Sequence, residues 1–158
     1  MYTNRNQSVY IFLFVCYNEC IGEKDMKNLI LYNNTFESGS KETIEVDLSN
    51  CKNDKEIFDV FKVAFQFPEW FGENWNAFDD CMSNLCFDVK ETLIIKVYGL
   101  QTISEKSVKC ILQNLVCLAK GESTQDNGEK VDAIIYLNNV DDYCEKIIKE
   151  MGCNFIIQ

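Results

Sequence analysis

The chain has 158 residues, 47% of them hydrophobic and 25% charged, with a formal charge of −10 and a pI near 4.5. That length and composition fit one globular domain with its own core rather than a disordered chain, and the acidic balance sets a repulsive field against nucleic acid and anionic membrane surfaces. Histidine is absent, which removes imidazole general-base catalysis, imidazole metal ligation and histidine pH switching together.

In chain order, the first apolar run is Val9 to Tyr17, VYIFLFVCY. It is too short to span a bilayer and no small-residue cleavage site follows, so its aromatic and β-branched content predicts a strand rather than an export signal. Leu29 to Tyr32 is a second run. The two would form a hairpin or add to the edge of a main sheet. MKNLILY from Met26 also reads as a natural chain start, which would leave the first 25 residues peripheral. Ser38-Gly39-Ser40 marks a loop. Thr43 to Leu48 alternates, with Ile44, Val46 and Leu48 on one face, and predicts a strand. Asn53 followed by Glu56 predicts a helix N-cap with its reciprocal partner, and Ile57, Phe58, Phe61, Ala64 and Phe65 then recur at helical spacing. After the interruption at Pro68 and Gly72, a second helix is expected over about Glu73 to Leu85. Thr92 to Tyr98 is a continuous apolar strand of the buried kind. Ser104 to Ala119 predicts a third helix with Val108, Ile111, Leu112, Leu115 and Ala119 inward. Gly121 to Lys130 is a polar loop, Ala133 to Leu137 a strand, Asp141 to Met151 a helix, and Phe155 to Ile157 a short closing strand. Strands alternating with helices imply a small α/β domain whose core strands are parallel.

Nine cysteines are an odd number, and no C-x-x-C pair occurs. They are expected as reduced thiols, mostly small buried hydrophobes, in a cytoplasmic protein without metal or cofactor.

The segment Phe67 to Leu85, FPEWFGENWNAFDDCMSNL, holds the only proline of the chain. At 100° per residue, Phe71, Trp75, Phe78, Met82 and Leu85 fall on one stripe. Glu73, Asn76, Asp80 and Asn84 fall opposite it, with Asp79 at their flank. The aromatics of the stripe read as core. Periodicity alone leaves the polar side open between a solvated face and a binding face. Trp70 lies outside the core stripe at the mouth of the turn, either as an interface anchor or buried under the N-terminal segment. Asp79, Asp80 and Cys81 could also be drawn as a carboxylate–thiol site. Helical angles, however, turn Cys81 away from Asp80, and no imidazole base or phosphate-cradling glycine loop accompanies them.

This segment resembles the signature of the barstar family, intracellular inhibitors of secreted bacterial ribonucleases. The matching positions are Phe67-Pro68, Glu69, Trp70-Phe71, Gly72-Glu73-Asn74, Trp75, Asn76-Ala77 and Asp80-Cys81-Met82. The resemblance covers about Lys41 to Leu137. It implies a parallel three-stranded core sheet packed with helices in a domain over 41–137. Residues 1–40 would form an N-terminal strand extension, and 138–158 a C-terminal helix–strand extension. It further implies that this is no enzyme but an immunity- or antitoxin-type protein, whose acidic helix and preceding aromatic loop block the active site of a basic ribonuclease. Trp70, Gly72, Glu73, Asn76, Asp79, Asp80 and Asn84 would face that partner, with Asp80 in its phosphate site as a carboxylate mimic. Asn76 departs from a second acid usual in the family, and Cys117 stands where the reference inhibitor carries a contacting glutamate. The alternative is a barstar-fold interaction module with a different partner, its extra strands and C-terminal helix building another surface.

Overall fold

A computed structural model describes residues 25–33 and 41–158. Its main sheet has five strands: β1 (Lys27–Tyr32), β2 (Lys41–Asp47), β4 (Thr92–Tyr98), β6 (Ala133–Val140) and β7 (Asn154–Ile157), in the order β2-β4-β6-β1-β7. β2 pairs parallel with β4 and β4 with β6, which gives the expected three-stranded parallel core. β1 and β7 extend it antiparallel. The Leu29–Tyr32 run therefore does add to the edge of the core. β6 and β7 flank β1 on its two sides. Val9–Tyr17 itself lies outside the described residues.

Parallel strands need crossovers, and helices supply them. α1 (Asp54–Ala64), α2 (Trp75–Ser83) and α3 (Glu105–Ala119) lie between the core strands, and α4 (Asp142–Glu150) joins β6 to β7. The strands alternate as their pleat requires. Leu93, Ile95 and Val97 of β4 and Ala133, Ile135 and Leu137 of β6 share one core cluster with the apolar stripes of all four helices. Ile30, Ile94 and Ile134 form a separate cluster on the opposite side of the sheet.

Local chemistry sets the helix starts. The Asn53 side chain accepts from the Glu56 amide at 3.0 Å. The return bond of the expected capping box lands one residue early, since the Glu56 carboxylate accepts from the Lys52 amide at 2.7 Å. Ser104 caps α3 and Asp141 caps α4. Gly99, at φ +82°, lies so close to β2 that a Cβ there would stand 2.3 Å from the Ser49 nitrogen, so only glycine fits that turn.

Two expectations need correcting. The second helix is shorter than Glu73–Leu85. Glu73 takes a left-handed φ of +47°, Asn74 is the cap, and Asn84–Leu85 leaves the helix as strand β3. The segment Gly121–Lys130 is not merely a polar loop. Thr124–Gln125 forms β5, parallel to β3, and Thr124 bridges back to Lys130. Ser123 and Gln125 are buried, and the Gln125 side-chain oxygen accepts from the Val89 amide at 2.5 Å. A buried amide needs such a partner, and that need orders the segment. Among the described residues, no helix is long and apolar enough to cross a membrane.

Candidate functional site

The site begins at the turn that launches α2. Asn74 satisfies it from both directions. Its side-chain oxygen accepts from the Ala77 amide at 2.9 Å, and its side-chain nitrogen donates to the Gly72 carbonyl at 3.1 Å. A Cβ on residue 72 would come within 3.0 Å of that same nitrogen. The bare Cα of Gly72 thus makes room for the cap. Glu73, held at positive φ between them, is exposed.

The apolar side of this segment is locked. Phe71, Phe78, Met82 and Leu85 are buried. Phe58 of α1 packs at 4.8 Å from the Trp75 ring and 5.8 Å from Phe71, and Phe61 lies edge-on to Phe78 at 4.9 Å. Ring pairs of this kind add roughly 0.5–1.5 kcal/mol each beyond area burial. The core side of α2 is therefore as the sequence pattern predicts. Trp75 departs slightly, being only partly buried, and its indole N–H donates to the Asp54 carboxylate at 3.0 Å.

On the other side, Asn76, Asp79 and Asp80 are exposed. The Asp80 carboxylate takes no hydrogen bond or ion pair among the described residues. Asp79 is engaged: the Asn114 side-chain amide of α3 donates to it at 2.7 Å while also holding the Cys110 carbonyl at 2.9 Å. Asn84 sits just past the helix, where its side chain accepts from the Thr124 hydroxyl at 3.3 Å. Trp70 is 72% exposed and joins no ring pair among the described residues. The alternative cover for it, the N-terminal segment, lies outside the described residues.

Cys81 is buried, and burial pushes its thiol above the ordinary value. An enclosed thiol facing the core is a poor nucleophile, which counts against the Asp79–Asp80–Cys81 combination. Cys117 is half-buried. Its carbonyl accepts from the Glu122 amide at 2.9 Å, so the root of the β5 segment lies against it. Burial, then the adjacent Glu122 carboxylate, raises the Cys117 thiol. Lys120 holds the Glu122 carboxylate below its usual value in turn. Cys144 is driven up to about 12, again first by burial.

Sequence reasoning missed the groups that fasten α2 in place: Asp54, Asn114 and Thr124. Asp54 stands beside a recognised cap, yet spacing along one helix says nothing about which other helix its carboxylate meets.

Comparison with curated proteins finds no match. The family model described as "Barstar (barnase inhibitor)" matches residues 41–138, which run from β2 through the capped turn and α2 into β6. With the parallel core and the capped aromatic turn both in place over that stretch, the chain belongs to the barstar family, a family of ribonuclease inhibitors.

Proposed function

We propose that this protein is an intracellular, immunity-type inhibitor that closes the active site of a basic ribonuclease with the exposed side of α2 and the Trp70 loop. The observation that carries this reading is the state of Asp80. It is an exposed carboxylate with no hydrogen-bond or ion-pair partner among the described residues, on a helix whose opposite side is fixed in an aromatic core. A ribonuclease holds RNA phosphate with lysine and arginine, and a rigidly presented carboxylate satisfies the same donors. Presenting it from a fixed helix lowers the ordering cost of association. Trp70 supplies the large exposed aromatic surface that dominates many interfaces, and the chain charge of −10 speeds encounter with a cationic partner. Cytoplasmic residence, protecting the producer from its own or a neighbour's toxin, accords with this role.

The test is recovery of the partner from the native host with the wild-type chain, followed by a ribonuclease inhibition assay and calorimetry. Asp80→Lys is expected to weaken binding by at least about 2–4 kcal/mol, the range of an interface hot spot, with an unchanged circular dichroism spectrum. An unaltered affinity removes Asp80 from the site. The second reading, an interaction module for some other protein, is favoured by one pair of facts. Asn76 is uncharged, and Asp79 is already occupied by Asn114, which leaves fewer free carboxylates to meet a cationic groove. Recovery of a partner without nuclease activity would decide for that reading.

A further inference from the structure

The first turns of three helices converge on one carboxylate. Asp54 opens α1 and is half-buried. One of its oxygens accepts from the indole N–H of Trp75, the first residue of α2, at 3.0 Å. The other accepts from the hydroxyl of Ser107, in the first turn of α3, at 2.7 Å. Ser107 is itself buried, its hydroxyl 2.8 Å from that of the α3 cap Ser104, and its amide donates to the same cap oxygen at 3.2 Å. Asp54 lies in the first turn of its own helix, where the partial positive charge of a helix N-terminus favours a carboxylate.

The aromatic core holds α2 against α1, and directional ties add to the non-directional apolar packing. Hydrogen bonds are directional. The Trp75 tie acts at the start of α2, and the Asp79–Asn114 tie acts next to Asp80. Together they define the roll and tilt of the helix, and so the direction in which its exposed side points.

We infer that Asp54 is a positioning residue for partner binding: by clasping Trp75 against Ser107 it aims the α2 face that presents Asp80. This rests on the inhibitor reading, and it adds that affinity depends on a residue at the start of a different helix from the one that presents Asp80. A polar group that holds a recognition element in its productive geometry acts through preorganisation rather than contact.

A double-mutant cycle tests it, using the ribonuclease recovered with the wild-type chain as the probe. Asp54→Ala is expected to weaken binding about tenfold in the presence of Asp80, and to change it less than about twofold in an Asp80→Ala background, because coupled residues lose additivity. Trp75→Phe, which keeps the ring but removes the N–H, breaks the tie from its other end and is expected to act in the same direction. It also keeps the test open if Asp54→Ala fails to fold. Asp54→Asn, which preserves an acceptor oxygen, is expected to recover part of the affinity. The inference is overturned if Asp80→Ala weakens binding while Asp54→Ala and Trp75→Phe do not, or if their losses are equal in both Asp80 backgrounds. If no ribonuclease is recovered, or if Asp80→Ala leaves its binding unchanged, the inhibitor reading falls first and takes the positioning role with it.

Discussion

Asn74 does with one side chain what an N-cap and a turn clamp usually do separately, and its two bonds hold the strained backbone of Glu73 between them. A non-glycine residue at φ +47° persists only where its neighbours insist on it. Asn74→Ala loses the cap and frees the turn. It is expected to cost about 1 kcal/mol of stability, within the range of 0.5–2 kcal/mol found for helix N-caps, read as a lowered midpoint in urea denaturation with an unchanged slope. Asp80→Lys should show the opposite pattern, binding lost and denaturation midpoint kept, because its carboxylate holds no partner among the described residues. The pair of variants thus separates a residue that builds the site from one that uses it. Asp54 belongs with the builders, though its product is a direction rather than a turn.

At the level of elements, α4 is fastened to β1 by a charged clasp. Lys27 of β1 reaches Asp142 at 2.9 Å and Glu145 at 2.6 Å, and Lys149 reaches Glu145 at 2.5 Å. The two lysines hold the mostly buried Glu145 carboxyl below its ordinary value of 4.5, Lys149 first and then Lys27. Lys27 is raised by the same bonds. A carboxyl depressed in the folded state contributes stability that is full above its ordinary value and is lost as pH falls through the lowered one. Stability is therefore expected to decline with acidification below about pH 4.5, and Glu145→Gln to flatten that acid limb in denaturation measured across pH. The elements themselves were largely legible in the sequence. The 100° stripe placed Phe78 and Met82 inside and Asp80 outside, because burial follows helical period closely within α2; Phe71 and Leu85 are buried as well, but from outside the helix. Where α2 ends was not legible. Its exit depends on β3 and β5, two-residue strands that carry no periodic pattern and exist only because Asn84 and Thr124 meet across the fold. The ties from Asp54 and Asn114 escaped for the same reason, since they join helices that are distant along the chain.

Among the described residues, the stretch matched by the family is widened by two further strands, β1 and β7. The stretch matched by the family ends in β6, AIIYLNNV, which carries no charge and is protected in the full sheet by β1. Cutting the chain to residues 41–138 bares that strand's outer edge, an invitation to pairing between chains. The trimmed protein is expected to show a larger mean mass per particle than the full chain at matched concentration, in size-exclusion chromatography with light scattering. Among the described residues the opposite outer edge is β2, KETIEVD, whose charges discourage such pairing. The strand order also bears on how the molecule is made. β1, near the beginning of the chain, meets partners centred on Leu137 and Ile157, so during synthesis it must wait for more than a hundred residues to emerge before it can pair. Within the parallel core, β2 and β4 can pair earlier, whereas β6 completes that core and offers β1 its first partner in the same step, and β7 joins last. A chain held on the ribosome with β6 emerged but β7 not yet made would carry α2 already mounted and only the β1–β7 seam still open.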